Sequence, residues 1–252
     1  MERRGLKPIR LFASDLDGTL AGDREGSLAF SRFWSDLPRE RRPLLVYNSG
    51  RLIEDIQAFT EEEGLPRADF IIGGVGTMLH ADHDPDIAHA YAATLGSRFD
   101  VDLLEADLFA FEQMTRQPAK YQHAFKSSWY LHDASKEDVI ALEQRLRSAG
   151  HPVRIVYSSS RDLDVIPEMA DKGQALRWLC GKLGIALDEV IVAGDTGNDL
   201  AMFEIEDVRG IVPENALPEL VSFAQASERI VQVPGFAARG VLAGLRAFGL
   251  QP

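Results

Sequence analysis

The stretch Ser14-Asp15-Leu16-Asp17-Gly18-Thr19-Leu20 follows an apolar run, Ile9–Ala13, that is long enough for one buried β-strand. Two carboxylates two positions apart would point to opposite faces of a sheet if the strand continued. Gly18 predicts instead that the strand ends and the chain turns, so that Asp15 and Asp17 can face one small volume. Asp15 is then expected at the last strand position, where open α/β sheets bind their ligands.

Two more predicted strands also end in polar tips. Leu44–Asn48 leads into Ser49-Gly50-Arg51, and Val190–Ala193 leads into Gly194-Asp195-Thr196-Gly197-Asn198-Asp199. A further polar residue, Lys172, opens a predicted helix. Because the ligands of an open α/β sheet bind at the carboxyl ends of its strands, we expect these polar groups to share one edge of one parallel sheet.

A different pattern lies between the third predicted strand, Phe70–Ile72, and Lys172. Strands are indicated at Phe125–Leu131, Val153–Tyr157 and Leu163–Ile166, the last two joined as a hairpin through residues 158–161. Helical spacing is indicated over Ile87–Met114, and a second helix is expected from a capping box at Ser135–Asp138 to Gly150. We expect a solvated linker at His80–Asp86. The mixture predicts an α+β domain at residues 84–167, inserted into a core formed by residues 1–83 and 168–252.

Composition excludes several classes of function. The chain has 252 residues, 45% of them hydrophobic, and a formal net charge of −12 without a cluster of Lys and Arg, so nucleic acid is not an expected partner. No apolar run approaches the length of a membrane span. Met1-Glu2-Arg3-Arg4 is basic, but no apolar segment of a secretory signal follows it. Cys180 is the only cysteine and is predicted to be a buried structural thiol. We therefore expect a cytoplasmic protein, with a monomer as the working expectation.

The polar tips favour phosphoryl transfer with a metal ion. Asp15 is the candidate nucleophile, yet its carboxylate and a phosphate monoester are both anions. Two unit charges 4 Å apart repel by about 4 kcal/mol at an effective dielectric constant near 20. Mg²⁺ prefers oxygen ligands and binds through a few carboxylates and the substrate phosphate. The candidate ligands of Mg²⁺ are Asp15, Asp17, Asp195 and Asp199.

The predicted catalytic group also includes Ser49 and Lys172, and gives Asp17 a second role. Ser49 and Lys172 are expected to hold the phosphoryl group, because phosphoryl transfer depends on positioning and on charge stabilisation. Asp17 can protonate the leaving alcohol and then activate water against an aspartyl-phosphate on Asp15.

These residues resemble the four motifs of the haloacid dehalogenase superfamily: Asp15–Thr19, Ser49, Lys172 and Gly194–Asp199. The inserted domain stands between the second and third motifs, as in members with a type C2 cap. The chain resembles sucrose-phosphate phosphatases more closely, and nearly throughout, at Val46–Arg51, Gly74–Thr77, Gln122–Lys126, Asp162–Pro167 and Asn215–Leu220. It departs from that family in having Gly18 where Asn is frequent and Ser49 where Thr is frequent.

The resemblance implies an α/β fold, with a Rossmann-like parallel-sheet core and an inserted α+β cap domain that recognises the sugar. It implies sugar contacts for three cap residues, Gln122, Lys126 and Asp164. Further substrate contacts are implied for Thr19, Gly50, Arg51 and Asn198.

The implied reaction is hydrolysis of a sugar phosphate, with sucrose 6-phosphate as the main expectation. A mannosylfructose-phosphate phosphatase or another sugar-phosphate phosphatase would show much the same motifs. A phosphomutase shares the aspartyl-phosphate step, and a catalytically silent sugar-phosphate-binding protein would have lost Asp15 or Asp17, which are both present.

Overall fold

The structure is a computed structural model that describes residues 7–96, 99–158 and 160–252. The first part of the core contains β1 (Leu11–Ser14), α1 (Arg24–Asp36), β2 (Leu44–Asn48), α2 (Ile53–Glu63), β3 (Phe70–Gly73), β4 (Met78–His80) and α3 (Ile87–Ala92). The inserted part contains α4 (Val101–Leu108), β5 (Thr115–Arg116), β6 (Ser127–Tyr130), α5 (Lys136–Ser148), β7 (Val153–Ser158) and β8 (Asp162–Pro167). The second part of the core contains α6 (Lys172–Leu183), β9 (Val190–Ala193), α7 (Leu200–Phe203), β10 (Arg209–Val212), α8 (Pro218–Gln225), β11 (Ile230–Gln232) and α9 (Ala238–Ala247).

Within the described residues, the core sheet has seven strands in the order β11-β10-β9-β1-β2-β3-β4. All neighbouring pairs are parallel except β3 and β4, which are antiparallel. The predicted α/β fold class is confirmed. β4 was not predicted, and its last residue, His80, belongs to the segment expected to be a linker.

Both faces of this sheet are covered, as the apolar strands predict. Along β1, Leu11 and Ala13 pack into one apolar cluster and Phe12 packs into the other, because successive side chains of a strand point to opposite faces. The first cluster includes side chains of α3, α6, α7 and α8, and the second includes side chains of α1, α2 and α9. The carboxyl ends of the central strands therefore remain as the open edge.

The inserted part forms a four-stranded antiparallel sheet in the order β5-β6-β8-β7. Its apolar cluster joins Leu104 and Leu108 of α4, Trp129 of β6 and Leu142 of α5 to the sheet. The predicted hairpin is present as the antiparallel pair β7 and β8, although its residue Ser159 lies outside the described residues. The helical pattern expected over Ile87–Met114 is divided between α3 and α4.

The packing of α3 bears on the predicted domain boundary at residue 84. Ile87, Tyr91 and Leu95 pack into the core cluster, and the ring of Tyr91 lies 5.1 Å from that of Trp178 on α6. The apolar cluster of the inserted part has Leu104 as its first buried member, and the partly buried Phe99 packs against it. We therefore propose that the inserted domain begins after Leu95 rather than at residue 84.

Two sequence expectations concern segments away from the sheet edge. Cys180 is buried on α6, and burial raises the pKa of its thiol, as expected of a structural cysteine. Met1–Arg4 lies outside the described residues. Among the helices of the described residues, none combines the length and the apolar character needed to cross a bilayer.

Candidate active site

The end of β1 presents Asp15 at the open edge of the sheet. The strand ends at Ser14, one residue earlier than expected, but the N–H of Asp15 still donates to the carbonyl of Ala193 at 3.0 Å. The chain then turns at Gly18, which has φ +73°. A Cβ at this position would lie 2.3 Å from Oδ2 of Asp195, so the close approach of the two loops requires glycine here.

Lys172 lies at the centre of the site with a fully buried side chain. Its Nζ is 3.0 Å from Oδ1 of Asp15 and 2.6 Å from Oδ1 of Asp199. It also donates to Oδ1 of Asn198 at 3.0 Å. Asp171 accepts the N–H of Gln174 as the N-cap of α6, which places Lys172 at the first position of that helix.

The loop after β9 is held by one of its own carboxylates. Oδ2 of Asp199 accepts the N–H groups of Asp195 and Thr196, each at 3.0 Å, while its other oxygen faces Lys172. Oδ1 of Asp195 accepts the hydroxyl of Thr19 at 2.9 Å. The predicted substrate contacts Thr19 and Asn198 are therefore both hydrogen-bonded within the site.

Three carboxylates lie close enough to share a cation. One oxygen from each of Asp15, Asp195 and Asp199 lies within 4.8 Å of the others, and all three residues are buried. Among the described residues, the group found does not include Asp17, although Asp17 was a candidate ligand. Its two carboxylate oxygens instead accept hydrogen bonds from Arg51.

The electrostatics of this group favour a bound cation. Burial, and then the neighbouring Asp199, raise the pKa of Asp15 to about 8. Burial and Asp199 also raise the pKa of Asp195 to about 6. Burial lowers the pKa of Lys172, but Asp15 and Asp199 more than offset this and hold it above its ordinary value. Three buried carboxylates face one ammonium group, so a hard divalent cation fits both the charge and the oxygen donors.

Asp17 and Arg51 form a two-pronged ion pair at the mouth of the site. Nε of Arg51 lies 2.8 Å from Oδ2 of Asp17, and Nη2 lies 2.8 Å from Oδ1. The side chain of Asp17 is 55% exposed. Ser49, which follows β2, is buried, and its hydroxyl accepts the N–H of Arg51 at 3.3 Å. Parallel pairing of β1 with β2 places Ser49 near the end of β1.

Lys126 connects the inserted domain to this edge of the core. Its Nζ donates to the carbonyl of Gly50 at 3.3 Å and lies 3.2 Å from Oδ1 of Asp164. Ser128 donates to the same carboxylate oxygen at 2.6 Å. Burial raises the pKa of Asp164 above its ordinary value despite the nearby ammonium of Lys126. The structure thus brings together two of the three predicted sugar contacts, beside the residue that follows Ser49.

The amide of the third predicted contact, Gln122, is used by the backbone of its own domain. Its Nε2 donates to the carbonyls of Gln117 and Ser128 at 2.9 and 2.8 Å. Its Oε1 accepts the N–H of Ser128 at 2.8 Å. Both donor hydrogens are therefore occupied, so the structure places Gln122 as a brace between its loop and β6.

Asn215 has a role in the site that the resemblance at Asn215–Leu220 does not indicate. Its Nδ2 donates to the carbonyl of Gly18 at 2.8 Å, and its Oδ1 accepts the N–H of Ala237 at 2.8 Å. Asn215 thereby holds the turn that carries Asp17. Its position soon after β10, at the same edge as the other polar tips, is the signal from which this role could have been found.

The comparisons with known proteins agree with this geometry. The sequence matches the family described as Sucrose-6F-phosphate phosphohydrolase over residues 8–249. Mannosylfructose-phosphate phosphatase from Agrobacterium fabrum is 50% identical over 247 residues, which cover 98% of this chain and 100% of that protein. Probable sucrose-phosphatase 2 from Arabidopsis thaliana is 29% identical, and the match covers 100% of this chain and 62% of that protein.

The solved structures show the same relationship. The sucrose-phosphatase from Synechocystis sp. PCC6803, in complex with sucrose and phosphate, has a TM-score of 0.86 at 27% identity, covering 96% of this chain and 98% of that chain. The haloacid dehalogenase-like hydrolase yhjK from Bacillus subtilis has a TM-score of 0.66 at 16% identity, covering 96% of this chain and 92% of that chain, a likeness that shows the fold alone. The predicted family and enzyme class are confirmed: the chain belongs to the sucrose-6F-phosphate phosphohydrolase family and is a phosphoric monoester hydrolase of the haloacid dehalogenase type.

Proposed function

We propose that this phosphatase acts on the phosphate monoester of a fructose-containing disaccharide, with mannosylfructose phosphate as the first candidate and sucrose 6-phosphate as the second. The observation that carries the reaction is the buried group in which Lys172 lies between Asp15 and Asp199. The order of the two sugars rests on 50% identity to the mannosylfructose-phosphate phosphatase, against 29% to the plant sucrose-phosphatase.

In the first step, a carboxylate oxygen of Asp15 attacks phosphorus and forms an aspartyl-phosphate. The bond between phosphorus and the sugar oxygen breaks, and that oxygen takes a proton from Asp17. Lys172, 3.0 Å from Asp15, offsets the repulsion between the carboxylate and the phosphoryl oxygens. The buried hydroxyl of Ser49 and the ammonium of Lys172 hold the phosphoryl group.

In the second step, Asp17 takes a proton from water as the water oxygen attacks phosphorus. The bond between phosphorus and Asp15 then breaks, which releases phosphate and restores the carboxylate. One side chain therefore serves as acid and then as base, and each proton that Asp17 gives to the sugar is recovered from water.

Asp15, Asp195 and Asp199 would hold Mg²⁺, which when bound neutralises charge on the phosphoryl oxygens. The fit rests on three buried carboxylates facing one ammonium group. Mg²⁺ suits this set because it binds through carboxylates together with substrate phosphate.

For the sugar, we propose that Lys126 and Asp164 provide the cap contacts. Lys126 donates to the carbonyl of Gly50, beside Ser49. Its ammonium group therefore lies where the sugar of a bound substrate would extend from the phosphoryl group. Gln122 supports the loop that precedes Lys126. A monomer and a cytoplasmic location remain predictions, for gel filtration and cell fractionation.

The test is phosphate release from a panel of sugar phosphates. We expect the largest kcat/KM for mannosylfructose phosphate, a lower value for sucrose 6-phosphate, and much lower values for hexose monophosphates. A larger value for sucrose 6-phosphate would reverse the order of the two candidates. Isomerised sugar phosphate in place of free phosphate would identify a phosphomutase instead.

A further inference from the structure

We infer that Arg51 is a positioning residue that fixes the orientation of the Asp17 carboxylate for proton transfer. The inference rests on the proposed function, in which Asp17 is the acid and base. It assigns Arg51 a role different from the direct substrate contact that the sequence resemblance implies.

The pair has the geometry of a clamp. Two nitrogens of Arg51 contact the two oxygens of Asp17, at 2.8 Å each. Such a two-pronged contact fixes the plane of a carboxylate as well as its position. Each carboxylate oxygen has two lone pairs, so one on each oxygen stays free to hold the proton that passes to the leaving group. The 55% exposure of the Asp17 side chain shows that it remains open to solvent.

Arg51 is itself held on several sides, unlike an ordinary surface ion pair. Nη1 donates to Asp55 at 2.9 Å, and the guanidinium lies 3.9 Å from the ring centre of Phe59. Its backbone N–H donates to the hydroxyl of Ser49 at 3.3 Å. Because α2 supplies both Asp55 and Phe59, a helix holds the guanidinium in place. The backbone of Arg51 is held by Ser49, the residue that follows β2.

Two kinds of substrate separate this role from phosphate binding. A sugar alkoxide must receive a proton as it leaves, whereas p-nitrophenolate leaves without one, and kcat/KM reports the steps up to formation of the aspartyl-phosphate. A positioning role for Arg51 predicts a loss that depends on the leaving group. A phosphate contact predicts the same loss on every phosphate ester.

The experiment is a double-mutant cycle of Arg51→Met and Asp17→Asn. It measures kcat/KM on p-nitrophenyl phosphate and on whichever of mannosylfructose phosphate and sucrose 6-phosphate the substrate panel shows to be hydrolysed faster. We expect Arg51→Met to lower the value at least about tenfold on the sugar phosphate and less than about threefold on the aryl phosphate. On the sugar phosphate, the double variant should match Asp17→Asn within about twofold, because Arg51 acts through Asp17. Arg51→Lys keeps the charge but not the two-pronged contact. It should lose at least about fivefold on the sugar phosphate.

Arg67→Met is the matched control, because Arg67 forms an exposed ion pair with Asp82. It should leave both kcat/KM values unchanged, and thermal melting should show that every variant is folded. Equal losses of Arg51→Met on the two substrates, losses that multiply in the double variant, or an unaltered Arg51→Lys would each overturn the inference. If the wild-type enzyme releases phosphate from neither substrate, the proposed function fails first and the inference fails with it.

Discussion

Asp15 combines two requirements that oppose each other. A nucleophilic carboxylate must be ionised, yet burial raises its pKa to about 8. Lys172, 3.0 Å away, stabilises the ionised carboxylate of Asp15, and a cation held with Asp195 and Asp199 would stabilise it further. The ionisation of Asp15 therefore depends on the charges around it, and strongly shifted pKa values of this kind are common in active sites.

We expect Asp15→Asn to lower kcat by more than about 10³-fold, because the amide cannot form the aspartyl-phosphate. The fold should survive, since the substitution removes a buried negative charge and Lys172 keeps its contact with Asp199. Phosphate release and thermal melting measure the two effects. Asp36→Asn, an exposed residue at the end of α1, is the control. A variant Asp15→Asn that retains most of the wild-type rate would show that Asp15 is not the nucleophile.

At the scale of elements, strand ends explain why much of the site was predictable. Parallel strands bring their carboxyl ends to one edge, so Asp15, Ser49 and Asp195 could be expected together from the positions of β1, β2 and β9 alone. The direction of Asp17 could not be predicted, because it lies in a turn and is fixed by a guanidinium from another loop. Periodicity defines faces only within regular elements.

Two elements show a further limit of sequence patterns. The apolar side of α3 has helical spacing whichever cluster it packs against, so the spacing could not place α3 in the core rather than in the inserted domain. β4 has three residues, too few for a pattern of alternation. Packing between elements, which no local pattern contains, determined both.

The connection to β6 allows a prediction for Gln122. Removing its amide in Gln122→Ala leaves the N–H and carbonyl of Ser128 and the carbonyl of Gln117 without these hydrogen bonds. We expect the free energy of unfolding to fall by about 1–3 kcal/mol, as measured by urea denaturation. Gln113→Ala, in the same domain, should change it by less. A variant of unaltered stability that loses activity on disaccharide phosphates would restore Gln122 as a sugar contact.

A second prediction for the inserted domain concerns Lys126 and distinguishes a contact with the sugar from a contact with the phosphate. We expect Lys126→Ala to lower kcat/KM for a disaccharide phosphate by at least about tenfold, or roughly 1.4 kcal/mol of transition-state binding. Hydrolysis of p-nitrophenyl phosphate, which has no sugar, should fall much less. Lys120→Ala, an exposed lysine on the same loop, is the control. Equal losses on both substrates would mean that Lys126 acts on phosphate or on folding.

At the scale of the whole molecule, the buried acidic group links stability to pH. The pKa values of Asp15 and Asp195 are raised from 3.8 to about 8 and about 6. The folded protein therefore keeps protons that the unfolded chain has released. Without a metal ion, the free energy of unfolding should fall as the pH rises from about 4 to about 8.

We expect Mg²⁺ to reverse this loss. At pH 8 and a concentration of 100 times Kd, the ion should add about 2.7 kcal/mol, or roughly 5–10 °C in Tm. The shift should be smaller at pH 5.5, where protons compete for the carboxylates. Calorimetry in EDTA and in Mg²⁺ measures both values, and activity should stop in EDTA and return with Mg²⁺.

Asp195→Asn is the matched variant for this measurement. It should reduce the stabilisation by Mg²⁺, because it removes one of the three carboxylates. Equal Mg²⁺ shifts at pH 5.5 and pH 8, or full activity in EDTA after exhaustive dialysis, would argue against a metal ion held by this group.

The central position of β1 has a consequence during synthesis on the ribosome. β1 is the first of the described strands to be made, yet one of its two neighbours in the sheet is β9. Thr19 and Asp195, which join the two loops, are 176 positions apart in the chain. At about 5–20 residues per second, β1 waits roughly 9–35 s with the backbone N–H and C=O groups of one edge unpaired. The strands of the inserted domain find their partners within that interval, but none of them pairs with β1. Because β9 is made late, we expect the nascent chain to expose an aggregation-prone edge on β1 until its second half emerges.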